Sequence, residues 1–250
     1  MNIGMLALVL AAFPRAWAAP AASGSSPDFV RLRDVAPDII QDIRYAGAHN
    51  FVGRPIPGYE AAECLLTRPA ARALAEAEDE LRPFGLTLKV FDCYRPRRAV
   101  AAFAAWAKDA QDRTMKAEFY PRVEKADLFK DGYIAARSAH SRGSTVDLTL
   151  APLKSARGER YRPGDELRDC ARGRGRRFAD GGLDMGTGFD CFDPRARTDS
   201  PAVGRRARAD RLLLKLLMEK NGFVNLPEEW WHYTLADEPY KDRDFDAPVR

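Results

Sequence analysis

"SAHSRGSTVDLTL" (residues 138–150) decides the fold class of this chain and carries the first sign of chemistry. Val146, Leu148 and Leu150 alternate with Asp147 and Thr149, the period-2 pattern of a strand that turns one face to a core. An aspartate inside such a strand needs a partner, and His140 stands seven positions upstream. Residues seven apart on a regular strand point to opposite faces, so the two side chains can reach one ion only if the chain bends between them. Arg142-Gly143 is placed for that bend. Alone, the stretch reads equally well as a turn capped by Asp147 beside a loop histidine.

Outward from this strand, helical and strand patterns alternate. "TRPAARALAEAEDELRPFGL" (67–86) predicts a helix with Thr67 as its cap, Pro69 in the first turn and Gly85 as its stop. Leu74, Ala77, Leu81 and Phe84 form its expected buried stripe. "LTLKVFDCY" (86–94) alternates as a strand, and Pro96 opens a second helix, "PRRAVAAFAAWAKDA" (96–110). A third helix is expected around Ala209 to Lys220, ending at Asn221-Gly222 and leading into "FVNLPEEWWHYTL" (223–235). Residues 151–184, rich in Arg, Gly and Asp, read as a surface insertion, because strand-like text resumes at "DMGTGFDCFDP" (184–194). With no internal repeat, the pattern predicts a single α+β domain with a central, mainly antiparallel sheet flanked by helices.

Composition narrows the function classes. Of the 250 residues, 46% are hydrophobic and 30% charged, with a net charge of +4, which is ordinary for a globular protein and offers no field for a nucleic acid. The N-terminal "MNIGMLALVLAAFPRAWAAPAASGSS" (1–26) has an apolar run from Ile3 to Phe13, too short to span a bilayer, then the small-x-small pattern Ala16-Trp17-Ala18. It reads as a secretory signal over 1–18, followed by a flexible segment, 19–33, and the domain proper, 34–250. The expected location is periplasmic or secreted, with no stable membrane association after signal cleavage. Export makes Cys64, Cys93, Cys170 and Cys191 candidates for two disulfides. Of the three pairings, chain order favours Cys64 with Cys93, around the first helix and its following strand, and Cys170 with Cys191, flanking a Gly/Arg-rich excursion. A structural zinc site lacks the CxxC pair it needs.

A second cluster lies in "PEEWWHYTL" (227–235), where Glu229 precedes His232 by three residues. A carboxylate next to a histidine suggests a general base beside a metal ligand, with Trp230 and Trp231 excluding water. The bland reading makes the tryptophans core residues and the glutamates solvated. Arg95, in "VFDCYRPRRAV" (90–100), sits between a strand end and a helix start. It either neutralises an oxyanion or pairs with Asp92 as surface charge, and the residues alone favour the second.

Taken in order, "YAGAHNFVGRPIPGY" (45–59), "FDCYRP" (91–96), "SAHSRGSTVDLTL", "DMGTGFDCFD" (184–193) and "EEWWHY" (228–233) resemble the D-alanyl-D-alanine dipeptidases of the VanX type. The resemblance runs from about Asp34 to the tail "DEPYKDRDFDAPV" (237–249) and is nearer to this branch than to the related zinc D,D-carboxypeptidases. It implies that His140, Asp147 and His232 hold one catalytic Zn2+ per chain in a cleft, with Glu229 as general base and Glu228 a spectator. It further implies that Arg95 stabilises the oxyanion, and that Ser138, Asp190 and Tyr45 bind the termini of a small D,D-dipeptide or shape its pocket. His49 matches no ligand position and reads as structural or exposed. Two neutral imidazoles and one carboxylate would leave a bound dication with residual positive charge, which acidifies a water. The segment 151–184 is longer than expected of the family, and the four cysteines suit an oxidising compartment. Exported, such an enzyme suits salvage of wall-derived dipeptide better than glycopeptide resistance. The competing readings are a D,D-carboxypeptidase trimming peptidoglycan stems and a non-catalytic secreted zinc-containing binding module.

Overall fold

The computed structural model describes Met1 and residues 28–154 and 158–250, so the expected secretory signal, Met1 apart, and residues 19–27 of the expected flexible segment lie outside the described residues. From Phe29 the expectation of flexibility is corrected. Strand β1 (Phe29–Arg31) and helix α1 (Leu32–Val35) are followed by β2 (Ile40–Gln41) and by β3 (Leu65–Thr67), against which β1 pairs antiparallel. Leu32 is fully buried, and the Phe29 ring packs on Tyr94 and Phe245. Apolar contacts at these positions are enough to order the segment.

Helix α2 (Arg68–Leu81) begins as expected with Pro69 in its first turn. Thr67 does not cap it: its hydroxyl shares a 2.7 Å hydrogen bond with the Ser144 hydroxyl, tying the helix start to the central strand. Leu74, Ala77 and Leu81 are buried, but Phe84 is 80% exposed. The reason is local: a 3-10 turn at Arg82–Phe84 rotates Phe84 off the α-helical stripe before Gly85, at φ +73°, ends the element. Strand β4 (Leu86–Asp92) is covered on both faces rather than one. Glu78 of α2 accepts from the Thr87 hydroxyl and the Leu88 amide at 2.8 and 2.7 Å, and Lys89 donates to the Asp180 carbonyl.

Helices α3 (Arg97–Lys108) and α4 (Lys116–Phe119) precede strand β5 (Thr145–Pro152). Helix α5 (Arg205–Lys220) begins four residues before the expected Ala209 and leads into β6 (Phe223–Asn225) and β7 (His232–Leu235). Among the described residues the main sheet runs β2-β4-β5-β7-β6, and only β2 and β4 are parallel. The α+β class with a mainly antiparallel sheet is as expected. No helix among the described residues is long and apolar enough to cross a membrane.

Both disulfides take the favoured pairing, Cys64–Cys93 and Cys170–Cys191. The second ties Cys170, within the 151–184 stretch, to Cys191 beyond its end, and the stretch is a surface excursion only in part. Residues 162–166 are exposed, but Phe178 packs 4.0 Å from the His49 ring and Leu183 donates to the Leu150 carbonyl, extending the edge of β5.

Next to this disulfide, Asp193 is 2.8 Å from Arg195 Nε and 2.7 Å from Arg122 Nε. Burial alone would raise its carboxyl, but Arg195, through side chain and backbone, and Arg122 hold it at about 2, below the usual 3.8. A folded-state pKa below the unfolded one stabilises the fold above the unfolded value and ceases to do so as pH falls through the folded one. Thermal stability is therefore expected to drop between about pH 4 and pH 2. Melting curves of Asp193→Asn should lie below wild type at neutral pH and lose less across that interval.

Candidate metal centre and active site

The site is assembled by strand register. Val146, Leu148 and Leu150 are fully buried on one face of β5, and Asp147, on the other, lies opposite Asp92 of β4 and opposite His232 of β7. Residues paired across neighbouring strands project from the same face, so three polar side chains on three strands converge by sheet geometry alone. His140 comes from outside the sheet. A 3-10 turn, Ala139–Arg142, ends at Gly143 with φ +80°, and this bend carries His140 back over Asp147. Gly143 is needed twice, because a Cβ there would also meet the Phe29 ring at 2.3 Å.

The three expected ligand atoms form a nearly equilateral triangle. His140 Nε2 and His232 Nδ1 each lie 3.2 Å from Asp147 Oδ1 and 3.3 Å from each other. Tetrahedral coordination at about 2.0 Å per bond separates ligand atoms by about 3.3 Å. His140 Nδ1 donates to the Cys93 carbonyl at 2.7 Å, leaving the Nε2 lone pair free to point into the triangle. Asp147 Oδ1 is buried and receives no hydrogen bond of adequate geometry despite its two imidazole neighbours. A buried acceptor in that position calls for a cation.

The charges agree. Asp92, Asp147, Asp190 and Glu229 gather around Arg95, which contacts Asp92 and Asp147, while Arg137, also on the cavity wall, is paired with Asp244. Burial, outweighing Arg95 and His140, raises Asp92, and burial with Asp147 nearby raises Asp190 well above the carboxylate range. Burial alone would raise Asp147, but His140 and His232 reverse this and hold it far below. Burial disfavours charge on His232, yet Asp147 and Glu229 raise its pKa. The site recruits positive charge, and the residues fit a divalent ion with His, Asp and His donors.

Glu229 and His232 are held by one tight turn. Leu226 donates to the His232 carbonyl and Glu229 to the Leu226 carbonyl, both at 3.0 Å, while the Asn225 side chain donates to the carbonyls of Glu229 and His232, each at 3.1 Å. Glu229 Oε2 lies 3.5 Å from His232 Nδ1, with its carboxylate facing the cavity and raised by burial within the surrounding walls. Trp230 and Trp231 are both core residues, as the bland reading had it, and Glu228 is exposed and paired with Arg197.

Arg95 does pair with Asp92, through Nε and Nη2 at 2.8 Å each, but neither partner is on the surface: Asp92 is fully buried. The expectation of surface charge is corrected. Burial opposes the Arg95 charge, but the surrounding Tyr45, Asp92, Tyr59 and Asp147 hold it protonated. Its guanidinium lies over the Tyr45 and Phe103 rings. Tyr45 donates to Asp190 Oδ2 at 2.8 Å, and Asp190 adopts φ +56°, a left-handed conformation uncommon outside glycine. Ser138, Tyr45 and Asp190 line the same cavity of about 260 Å³ as the His-Asp-His triangle, Arg95 and Glu229. His49 is apart from it, structural and not exposed, bridging Arg44 and Glu118 at 3.0 and 2.8 Å.

Sequence reasoning found the Arg95–Asp92 pair but missed its burial, and missed Tyr59, which donates to Asp92 at 2.6 Å, and Asn225. The available signal was an aspartate inside an otherwise apolar strand, the same signal that singled out Asp147.

Residues 25–166 and 178–250 match the model of the M15 peptidase family described as D-ala-D-ala dipeptidase; the unmatched stretch falls within the expected insertion. The chain is 36% identical over 221 residues to a D-alanyl-D-alanine dipeptidase of Enterococcus faecalis, covering 88% of this chain and 98% of that protein. It is 37% identical over 222 residues to one of Streptomyces coelicolor, covering 89% and 98%. The D-alanyl-D-alanine dipeptidase of Escherichia coli is 32% identical over 208 residues, 83% of this chain and 84% of that protein. At that coverage and identity, and with the family's stretches converging on one cavity, the chain belongs to the D-Ala-D-Ala dipeptidase family of M15 peptidases.

Proposed function

We propose that the protein is a zinc-dependent dipeptidase that hydrolyses free D-alanyl-D-alanine to D-alanine in an oxidising compartment outside the cytoplasm. The observation that carries this reading is the His140–Asp147–His232 triangle, opening into a cavity of about 260 Å³ that Glu229 and Arg95 also line. His140 Nε2, Asp147 Oδ1 and His232 Nδ1 are the atoms that would hold the ion. When bound, Zn2+ supplies Lewis-acid polarisation of the scissile carbonyl and lowers the pKa of a water.

Glu229 takes a proton from the attacking water and passes it to the leaving amine. Burial raises its pKa above that of an ordinary glutamate, which helps one carboxylate both accept and return a proton. Arg95, fixed by two bonds to Asp92, faces the negative charge that develops on the carbonyl oxygen, a contact worth about 3 kcal/mol in comparable sites. Asp190, oriented by Tyr45, receives the free ammonium of the substrate, and Ser138 helps to close the pocket. The cavity lies just under the roughly 300–1,000 Å³ typical of drug-sized sites, which suits a two-residue substrate. The two disulfides support an oxidising compartment, in keeping with the secretory signal read from residues 1–18.

The test compares free D-Ala-D-Ala with its N-acetylated form and with a pentapeptide stem ending in D-Ala-D-Ala, using zinc-loaded protein. Free dipeptide should be preferred by at least about 10²-fold, since acylation removes the charge that Asp190 binds. The opposite preference would make the protein a carboxypeptidase. Cleavage of neither, with zinc bound, would make it a binding module.

A further inference from the structure

We propose that the Cys64–Cys93 disulfide is a positioning element for the metal site, so that tight metal binding depends on this bond. The inference rests on the metal-site reading above and adds a residue pair that touches neither ion nor substrate. Cys93 supplies the carbonyl that accepts the His140 Nδ1 proton at 2.7 Å, the contact that fixes the ring and leaves Nε2 facing the triangle. That carbonyl lies beyond the end of β4, where the sheet register has already slipped between Val90 and Asp92. No ladder hydrogen bond therefore holds it in place.

Other ties hold the segment, and the disulfide sits at their centre. Tyr94 donates to the Leu65 carbonyl at 3.0 Å, Arg95 to the His140 carbonyl at 3.2 Å, and the Ser141 hydroxyl to the Arg95 carbonyl at 2.9 Å. The S–S bond joins Cys93 to Cys64, at the start of β3, with the two Cα atoms 5.3 Å apart. One residue before the bond is Asp92, anchor of Arg95, and two residues after it is Arg95 itself. A single covalent tie thus restrains the acceptor for His140 and both ends of the Asp92–Arg95 pair. Partners that orient a ligating histidine typically contribute 10–100-fold to metal affinity. A chain not yet oxidised would hold its metal less tightly, which restrains activity before export.

Cys170–Cys191 is the matched control. It closes a similar length of chain, 21 residues of separation against 29, so its loss costs comparable stability, but it supports no ligand of the triangle. Zinc Kd is measured by chelator competition on the whole chain, together with the visible spectrum of the Co2+-substituted protein and far-UV circular dichroism. Cys64→Ser/Cys93→Ser should bind zinc about 10–100-fold more weakly, with a shifted Co2+ spectrum and retained fold, whereas Cys170→Ser/Cys191→Ser should match wild type. Equal Kd in all three proteins, or equal weakening in both variants, overturns the proposal. If wild type itself binds no zinc, it is the metal-site reading that fails. If the serine pair does not fold, Cys64→Ala/Cys93→Ala replaces it, and failure of both to fold makes the bond purely structural and overturns the proposal.

Discussion

Glu229→Gln is expected to leave a folded protein with one zinc per chain whose turnover of free D-Ala-D-Ala has fallen by about 10²–10⁴. The amide keeps the size of the carboxylate but cannot accept a proton from water. The turn that carries it is held by backbone bonds and by the Asn225 side chain, none of which involves the Glu229 side chain. The metal triangle is built from other atoms, so its zinc content should not change. Glu228→Gln is the paired measurement: that side chain is exposed and bound to Arg197, and its loss should leave kcat and KM unaltered. Full turnover by zinc-loaded Glu229→Gln would remove the general base from the mechanism.

His140→Ala should abolish both zinc retention and hydrolysis. The ring contributes one of three donor atoms spaced 3.2–3.3 Å apart, and its removal leaves a two-donor site beside an unsatisfied Asp147 oxygen. Two readouts are independent of turnover. Zinc per chain after gel filtration should fall to near zero, and the rise in melting temperature that zinc gives wild type should vanish. A ligand that binds only the folded state at 100 times its Kd stabilises by about 2.7 kcal/mol, so the shift is measurable in wild type. Native zinc affinity in His140→Ala would show that the ion sits elsewhere.

Much of this site was legible in the chain. The strand 145–152 could be read from its alternation, and the demand for a partner at Asp147 from the cost of burying a carboxylate. The bend at Arg142-Gly143 followed from the opposed faces of residues seven apart, and it appears as a 3-10 turn closed by a left-handed glycine. The family stretches then linked His140, Asp147, His232, Glu229 and Arg95 as one set.

Other features had no local signature. The Phe84 stripe failed because three residues of 3-10 turn shift the angular spacing before Gly85. The flexible segment failed at Phe29 because its anchor is the bare face of Gly143, more than a hundred residues away. Arg95 read as a surface ion pair because nothing in "FDCYRP" says that Asp92 lies opposite Asp147, with both carboxylates shut away from water.

By itself, then, the sequence determined which residues prefer strand or helix, where the chain must turn, and which side chains carry donors for a metal and for a proton. These are properties of neighbouring residues, written in period, glycine placement and side-chain chemistry. Only the tertiary structure decided which strands meet and in what register, and therefore that Asp92, Asp147 and His232 share one face with His140 above them. Register is a sum of contacts between distant segments, and slipping it by one residue would turn each of those side chains away from the others.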